Sequence, residues 1–383
     1  MDRLWTRAFV LMSLGSLFLF TSFYLLLPTL PLFVKELGGH DTQVGLAVGI
    51  FTLVAVILRP IAGGLLDQYG RRPFLLIGLA FYGLSMYLYG MVQGVGTLLL
   101  VRLLHGASWA FVTTAAAAVI ADIVPANRRG EGMGWYGLAM TVAMAAGPLL
   151  GTWTLDGYTF SGVFLLAVAL TVAALLAVAG PRLPFQRPEV RRKIALYDPA
   201  ALPVSLAVVF LTFAYGAVTT FVPLFAVTID VNPGLYFLVY ALSLTLARPI
   251  AGKLSDRYGA ASVIVPAALL SICALFVLSS ATGLAGVVAA AVLYGLGFGS
   301  AQPALQAALL GMVPKERFGL ANASFFTAFD LGIALGSTLL GWVADLVSYR
   351  ALFALSTLAV ALSLAVFIAY VRPLLRRREG AVA

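Results

Sequence analysis

Five ionisable side chains stand inside long apolar stretches of this 383-residue chain: Arg59, Arg102, His105, Arg248 and Asp330. Asp330 is the only acid deep within such a stretch, in the run Phe325-Phe326-Thr327-Ala328-Phe329-Asp330-Leu331-Gly332. A carboxyl desolvated among phenylalanines resists ionisation, so it could take up and release protons near neutral pH. Three roles are open to it: proton coupling, a fixed partner for an arginine or a neighbouring helix, and direct contact with a substrate. Arg102, His105, Trp109 and Thr113 recur at spacings of three and four, so on a helix they share one polar and aromatic face. His105 could titrate in the physiological range or serve as a hydrogen-bonded spacer. Arg59 and Arg248 stand about two helical turns from the nearest charged turn. They could snorkel out of the apolar layer or line an anion-attracting vestibule.

The elements that must hold these groups are apolar almost throughout. Hydrophobic residues make up 62% of the chain and charged residues 10%, against about 25% in a soluble protein. So few charges cannot coat a water-facing surface, and the bilayer is the solvent. Twelve stretches are long enough to span, at about 20 apolar residues each: 8–34, 43–66, 73–93, 97–121, 131–154, 159–181, 200–227, 233–254, 261–280, 284–312, 318–343 and 349–371. The first exceeds the 7–15-residue core of a signal peptide and is expected to remain as a helix. Nineteen Lys and Arg fall on segments to one side, and only Lys35 and Arg350 on the other. The positive-inside rule then puts both termini in the cytoplasm of a multi-pass plasma-membrane protein. The net charge of +9 is thereby explained without nucleic acid. One cysteine, Cys273, and two histidines, His40 and His105, give no metal site and no internal disulfide. No P-loop pattern is present, and no cofactor is expected.

The chain is also duplicated. Arg59 to Gly70 reads RPIAGGLLDQYG and Arg248 to Gly259 reads RPIAGKLSDRYG, identical at nine of twelve positions. The offset of 189 persists: Val124-Pro125 matches Val313-Pro314, Arg128 matches Arg317, Gly147 matches Gly336, and Asp156 matches Asp345. At an offset of 192, Pro31-Leu32-Phe33 matches Pro223-Leu224-Phe225. A half-length repeat in similarly oriented halves predicts two six-helix bundles related by an axis along the membrane normal. The expected division is 1–181, a cytoplasmic linker at 182–199, and 200–383. The fold class is an all-α membrane protein of twelve transmembrane helices in two pseudo-symmetric bundles.

Gly63-x-Leu65-x-Asp67-Gln68-x-Gly70-Arg71-Arg72 resembles the signature loop between helices 2 and 3 of the major facilitator superfamily. Arg102-Leu-Leu-His105-Gly106 is similar to that superfamily's helix-4 motif, with His where Gln is usual. Gly147-Pro148-x-x-Gly151 resembles the helix-5 motif of proton-linked exporters, although its leading glycine is Ala143 here. The segment Asn322 to Gly341 resembles a stretch common in bacterial efflux permeases of the same superfamily. The resemblance covers the whole chain. It implies that Asp67 caps the N-terminus of helix 11, near Phe318, and latches the halves on the inner side. Arg71 could join through Asp67 and Asp122. In the second copy Asp256 and Gly259 remain, but Arg71 and Asp122 correspond to Ala260 and Gly311. The resemblance also gives Arg102 a part in proton handling, and makes helices 1, 4, 7 and 10 the lining of a central cavity.

These features imply a proton-coupled antiporter that exports an amphipathic small molecule or metabolite by alternating access. Proton coupling is assigned to Asp330, Arg102 and His105. The latch comprises Asp67, Gly70, Arg71, Asp122 and Asp256, and the antiporter motif Gly147, Pro148 and Gly151. Substrate-cavity candidates are Phe20, Tyr24, Arg102, Trp109, Met140, Met144, Tyr215, Tyr240, Tyr294, Phe298, Gln302 and Asp330, because aromatic and soft side chains repack around varied ligands. The expected partners are a small-molecule substrate, protons and the lipid bilayer, with the protein a monomer. Three arginines in the spans against one acid support an alternative, a symporter or uniporter of a small organic anion. No nucleophile–base constellation supports a membrane enzyme.

Overall fold

The computed structural model describes residues 4–125, 128–181, 197–314 and 317–375, with residues 67, 129, 130 and 319 described by backbone alone. Twelve long helices follow one another: α1 (Arg7–Glu36), α2 (Asp41–Tyr69), α3 (Arg71–Tyr89), α4 (Val95–Ile123), α5 (Arg129–Gly157), α6 (Phe160–Ala179), α7 (Leu202–Thr228), α8 (Pro233–Tyr258), α9 (Ala261–Ser280), α10 (Leu284–Gly311), α11 (Phe318–Leu346) and α12 (Tyr349–Val366). No strand occurs among the described residues. Eleven of these helices are long and apolar enough to cross a membrane. The exception is α3, 19 residues that open on Arg71-Arg72 and carry Tyr82, Ser85, Tyr87 and Tyr89. Large apolar side chains face outward, among them Leu100, Leu176, Leu246 and Phe276, each about two-thirds exposed. That outward apolar surface suits lipid rather than water.

Two compact units emerge. In the first, α1 packs on α5 and α6, and α3 packs on α4 and α6. In the second, α7 packs on α11 and α12, and α9 packs on α10 and α12. The pairings are the same in both, as a duplicated sequence requires. The turns after α2 and α8 hold Gly70 at φ 95° and Gly259 at φ 82°. Both angles lie in the left-handed region, which a β-carbon disfavours. The repeated RPIAG…YG segment therefore encodes a helix followed by its stop.

Small residues set how closely helices cross. A β-carbon on Gly147 would lie 2.6 Å from Cβ of Tyr24, and one on Gly151 would lie 2.3 Å from the carbonyl oxygen of Leu25. The equivalent crossing of α7 and α11 is tighter: a β-carbon on Gly336 would lie 2.0 Å from the carbonyl oxygen of Phe213. Such backbone-to-backbone approach is how helices associate when no hydrophobic effect drives them together.

Residues His40–Gly49 at the start of α2 cluster with the second unit, while Ile50 onward joins the first. The cause is local. Gly45 and Gly49 present a bare face on which Ser337 and Thr338 of α11 press directly. Most of the expected linker, 182–196, lies outside the described residues.

Candidate transport site

Each unit contains an aromatic box, and the boxes are built from matching positions. In the first, Trp109 of α4 stacks on Phe23 of α1 with centroids 4.2 Å apart. Phe51 of α2 lies 5.7 Å from Phe23, and the His105 ring lies 4.7 Å from Phe51. In the second, Phe298 of α10 stacks on Tyr215 of α7 at 4.4 Å. Tyr240 of α8 lies 6.5 Å from Tyr215, and Tyr294 lies 6.0 Å from Tyr240. At the offsets of 189 and 192, Phe23, Phe51, His105 and Trp109 correspond to Tyr215, Tyr240, Tyr294 and Phe298. The duplication thus preserves a three-dimensional constellation and not only a loop.

The two boxes differ in polarity. The first holds Arg102, 4% exposed, with its guanidinium carbon 4.2 Å from the centre of the Phe51 ring. Arg102 Nη1 lies 3.4 Å from the Tyr89 hydroxyl, which it donates to, and 3.2 Å from Nδ1 of His105. The Tyr89 hydroxyl lies 3.0 Å from the same Nδ1. A guanidinium can only donate, so Nδ1 accepts and the imidazole proton sits on Nε2. His105 is completely buried, and its Nε2 has no hydrogen-bond partner among the described residues. This geometry fits the spacer role. Below it, Tyr82 reaches Ser22, whose hydroxyl donates to the Ala167 carbonyl at 3.0 Å.

In the second box Ala291 stands at the position of Arg102, and the polar groups are phenols. Tyr236, Tyr240 and Tyr294 are each at most 3% exposed, and their hydroxyls have no hydrogen-bond partner among the described residues. Burying three unmatched hydroxyls costs about 1–3 kcal/mol each. Asp330 is nearly buried at 9% and follows Phe329, whose ring lies 6.1 Å from Tyr215. Gln302 Nε2 lies 3.5 Å from Oε1 of Gln306, which in turn donates to Asn322 at 2.9 Å.

Of the remaining cavity candidates, Phe20 and Tyr24 adjoin the first box. Phe20 contacts Trp109 edge-on at 5.4 Å, and Tyr24 contacts Phe23 at 5.4 Å. Met144 is buried and Met140 half-buried on α5. At the motif loop, Arg71 Nε pairs with Asp122 at 2.9 Å. Asp256 is exposed, and the side chain of Asp67 lies outside the described residues. Arg59 is half-buried and Arg248 exposed. Gly147 and Gly151 pack on α1, which accounts for their lack of side chains by contact alone.

One group at the start of α11 escaped sequence reasoning. Asp198 is completely buried at the entry to α7 and pairs with Arg317, the residue preceding α11. Its backbone N–H donates to Ser324 at 2.8 Å, and its carboxylate accepts from Ala200 N at 3.0 Å. Only the Asp-Pro-Ala-Ala cap pattern at 198–201 hinted at it.

Comparison with known proteins gives the frame. The family model described as Major Facilitator Superfamily matches residues 12–244 and again 204–382. The chain belongs to the major facilitator superfamily. As a member of that superfamily it is a multi-pass membrane transporter of small molecules, not an enzyme. The Staphylopine export protein of Staphylococcus aureus is 27% identical over 343 residues, covering 84% of this chain and 85% of that protein. The Multi-drug resistance efflux pump PmrA of Streptococcus pneumoniae is 28% identical over 378 residues, covering 94% of each. Among solved structures, the nucleoside transporter NupG superposes with a TM-score of 0.75 at 16% identity, covering 94% of this chain and 99% of that one. At that identity the structural likeness speaks for the fold only.

Proposed function

We propose that this transporter is a proton-coupled antiporter that exports an amphipathic small molecule or metabolite. It works as a monomer by alternating access, with twelve spans and both termini in the cytoplasm of the plasma membrane. The observation that carries the proposal is the pairing of unlike boxes: a fixed, buried cation in one half and a buried carboxyl beside the aromatic box of the other. Arg102 donates to the Tyr89 hydroxyl and lies beside Nδ1 of His105. Asp330 is assigned the proton site because it is a nearly buried carboxyl on α11 beside Phe329, and ionisable groups inside a span are kept for function. The aromatic faces around Trp109 and Phe298 supply a surface that accepts varied apolar groups. The curated relatives described above, one a staphylopine exporter and one a multidrug efflux pump, support export as the direction.

Asp330→Asn tests the proton site. The amide keeps the volume and removes the titration. Substrate-driven proton release in proteoliposomes should lose its pH dependence, while substrate exchange across equal concentrations continues. An unaltered pH profile for the variant assigns coupling elsewhere.

The motif loop gives a second expectation. By its resemblance to the superfamily's signature loop, Asp67 is assigned the role of a latch, and the Arg71–Asp122 pair of the same loop would support it. The second copy lacks that support, with Ala260 and Gly311 in place of the pair. Asp67→Asn should therefore slow transport about tenfold or more, the effect of losing one charge-assisted bond. Asp256→Asn should change it less than twofold. Equal rates in the two variants, at equal expression, contradict the one-sided latch.

A further inference from the structure

The start of α2 caps itself only in part: His40 N–H donates to Gln43 Oε1 at 3.0 Å, which satisfies the cap residue but not the first helical N–H groups. His40 stands at the cap position: its carbonyl accepts from Gln43 N at 3.0 Å and Val44 N at 3.1 Å. The first two helical N–H groups, on Asp41 and Thr42, need acceptors from elsewhere. They find them at the far end of α11. Asp345 Oδ1 accepts from Asp41 N at 2.7 Å, and Oδ2 accepts from Thr42 N at 2.7 Å. The Thr42 hydroxyl donates to the same Oδ2. The Tyr349 hydroxyl, at the start of α12, donates to Asp41 Oδ1 at 2.8 Å. Along the same seam, a β-carbon on Gly45 would lie 2.0 Å from the Ser337 carbonyl oxygen, and one on Gly49 would lie 2.2 Å from the Thr338 hydroxyl.

The duplicated half is built differently. The start of α8 supplies its own cap, with Asn232 accepting from Gly234 N at 2.8 Å and Pro233 offering no N–H. Asp156, the counterpart of Asp345, is exposed. The dependence of α2 on a carboxylate 303 positions away is thus not a general requirement of the fold.

We infer that Asp345, with Thr42, Asp41 and Tyr349, forms a releasable clamp on the end of α2. On the orientation proposed above, this is the outer face. The rest of α2, from Ile50, packs in the first unit, whereas His40–Gly49 packs in the second. A helix shared in this way must give up one set of contacts when the halves change their arrangement. The carboxylate cap is the removable set: when it leaves, Asp41 N–H and Thr42 N–H pass to water, and Gly45 and Gly49 slide off Ser337 and Thr338. The clamp sits at the C-terminal end of α11 and the N-terminal end of α2, a full helix length from the motif loop that follows α2. It gives the outer side a polar lock of its own, built from different residues.

The inference uses the alternating-access reading, but its test needs neither substrate nor protons. In a Cys273→Ala background, Ser337→Cys places a thiol at the buried centre of the seam, where Ser337 is 0% exposed. The probe is a hydrophilic maleimide added to purified, detergent-solubilised protein. Asp345→Asn should speed labelling at position 337 by about tenfold, and Thr42→Val by a smaller factor. Asp156→Asn should leave the rate within twofold. Should Asp345→Asn fail to give monodisperse protein, Thr42→Val and Tyr349→Phe carry the comparison, since each removes one bond. Unchanged labelling in the cap variants, or an equal rise with Asp156→Asn, overturns the clamp. Loss of proton coupling with the labelling pattern intact overturns the antiport reading and leaves the clamp standing.

Discussion

Arg102→Ala is expected to reduce transport at least 100-fold while leaving the protein folded. The two outcomes separate a functional arginine from a structural one. Arg102 is held by a phenol, an imidazole nitrogen and the face of Phe51. Desolvating a guanidinium is costly, and replacing such a group with a smaller neutral one relieves that cost. The melting temperature should therefore stay level or rise. Transport should fail because no other side chain of this box carries a positive charge, and its counterpart in the second half is Ala291. Arg102→Lys is expected to rescue little. Lysine keeps the charge but not the planar fork that donates to Tyr89 and His105 while lying over a ring. A parallel loss of transport and of monodisperse protein would make Arg102 a packing residue instead.

The second large effect is on folding. Gly336→Val should lower stability by at least about 3 kcal/mol, the upper end for overpacking a tight core. The reason is the identity of the neighbour. A β-carbon at 336 would lie 2.0 Å from the Phe213 carbonyl oxygen and 2.8 Å from the Phe213 Cα. Backbone cannot rotate away as a long side chain can, so α7 and α11 would have to separate. Gly332 repeats the problem one turn earlier, where a β-carbon would lie 2.0 Å from the Thr212 hydroxyl. The control is Gly252→Ala on α8, where nothing lies within 4 Å. That substitution should be neutral or gain up to about 1 kcal/mol from helix propensity. Thermal unfolding of the purified variants measures both.

Much of the architecture was legible because a bilayer imposes simple rules. Span length and the half-length repeat follow from apolar runs and from local identity, and the structure has twelve long helices with the two halves paired alike. The aromatic boxes were half legible. Tyr215, Tyr240, Tyr294, Phe298 and Trp109 stand out in the sequence as aromatic residues on apolar helices. That Phe23 and Phe51 complete the first box follows only when the offsets are applied to rings rather than to motifs. Tyr82 and Tyr89 were invisible, because nothing in the sequence of α3 says which of its tyrosines turns toward α4.

Contacts that depend on helix ends were the hardest to foresee. Asp198 meets Arg317 across more than a hundred residues, and Asp345 meets Thr42 across three hundred. Both acids lie beside turns, where a carboxylate reads as solvated charge. Their partners are backbone N–H groups or a charge that the sequence places on another helix. A duplication also misleads at such places. It pairs Asp156 with Asp345 and Arg128 with Arg317, yet Arg128 bonds to Glu131 three residues away at 2.8 Å. Symmetry carries the helix cores through, and the ends diverge.

The most direct test of the whole reading is counterflow of protons and substrate. A panel of cationic, neutral and anionic compounds is first screened by thermal shift, and the compound that stabilises the protein most is used as the probe. Purified protein is reconstituted into liposomes loaded with a buffered acidic lumen and placed at neutral pH outside. Antiport predicts that protons leaving the lumen drive the probe inward against its own gradient, and that collapsing the pH gradient with an ionophore stops the accumulation. Probe and protons leaving together, or accumulation indifferent to the ionophore, would contradict it.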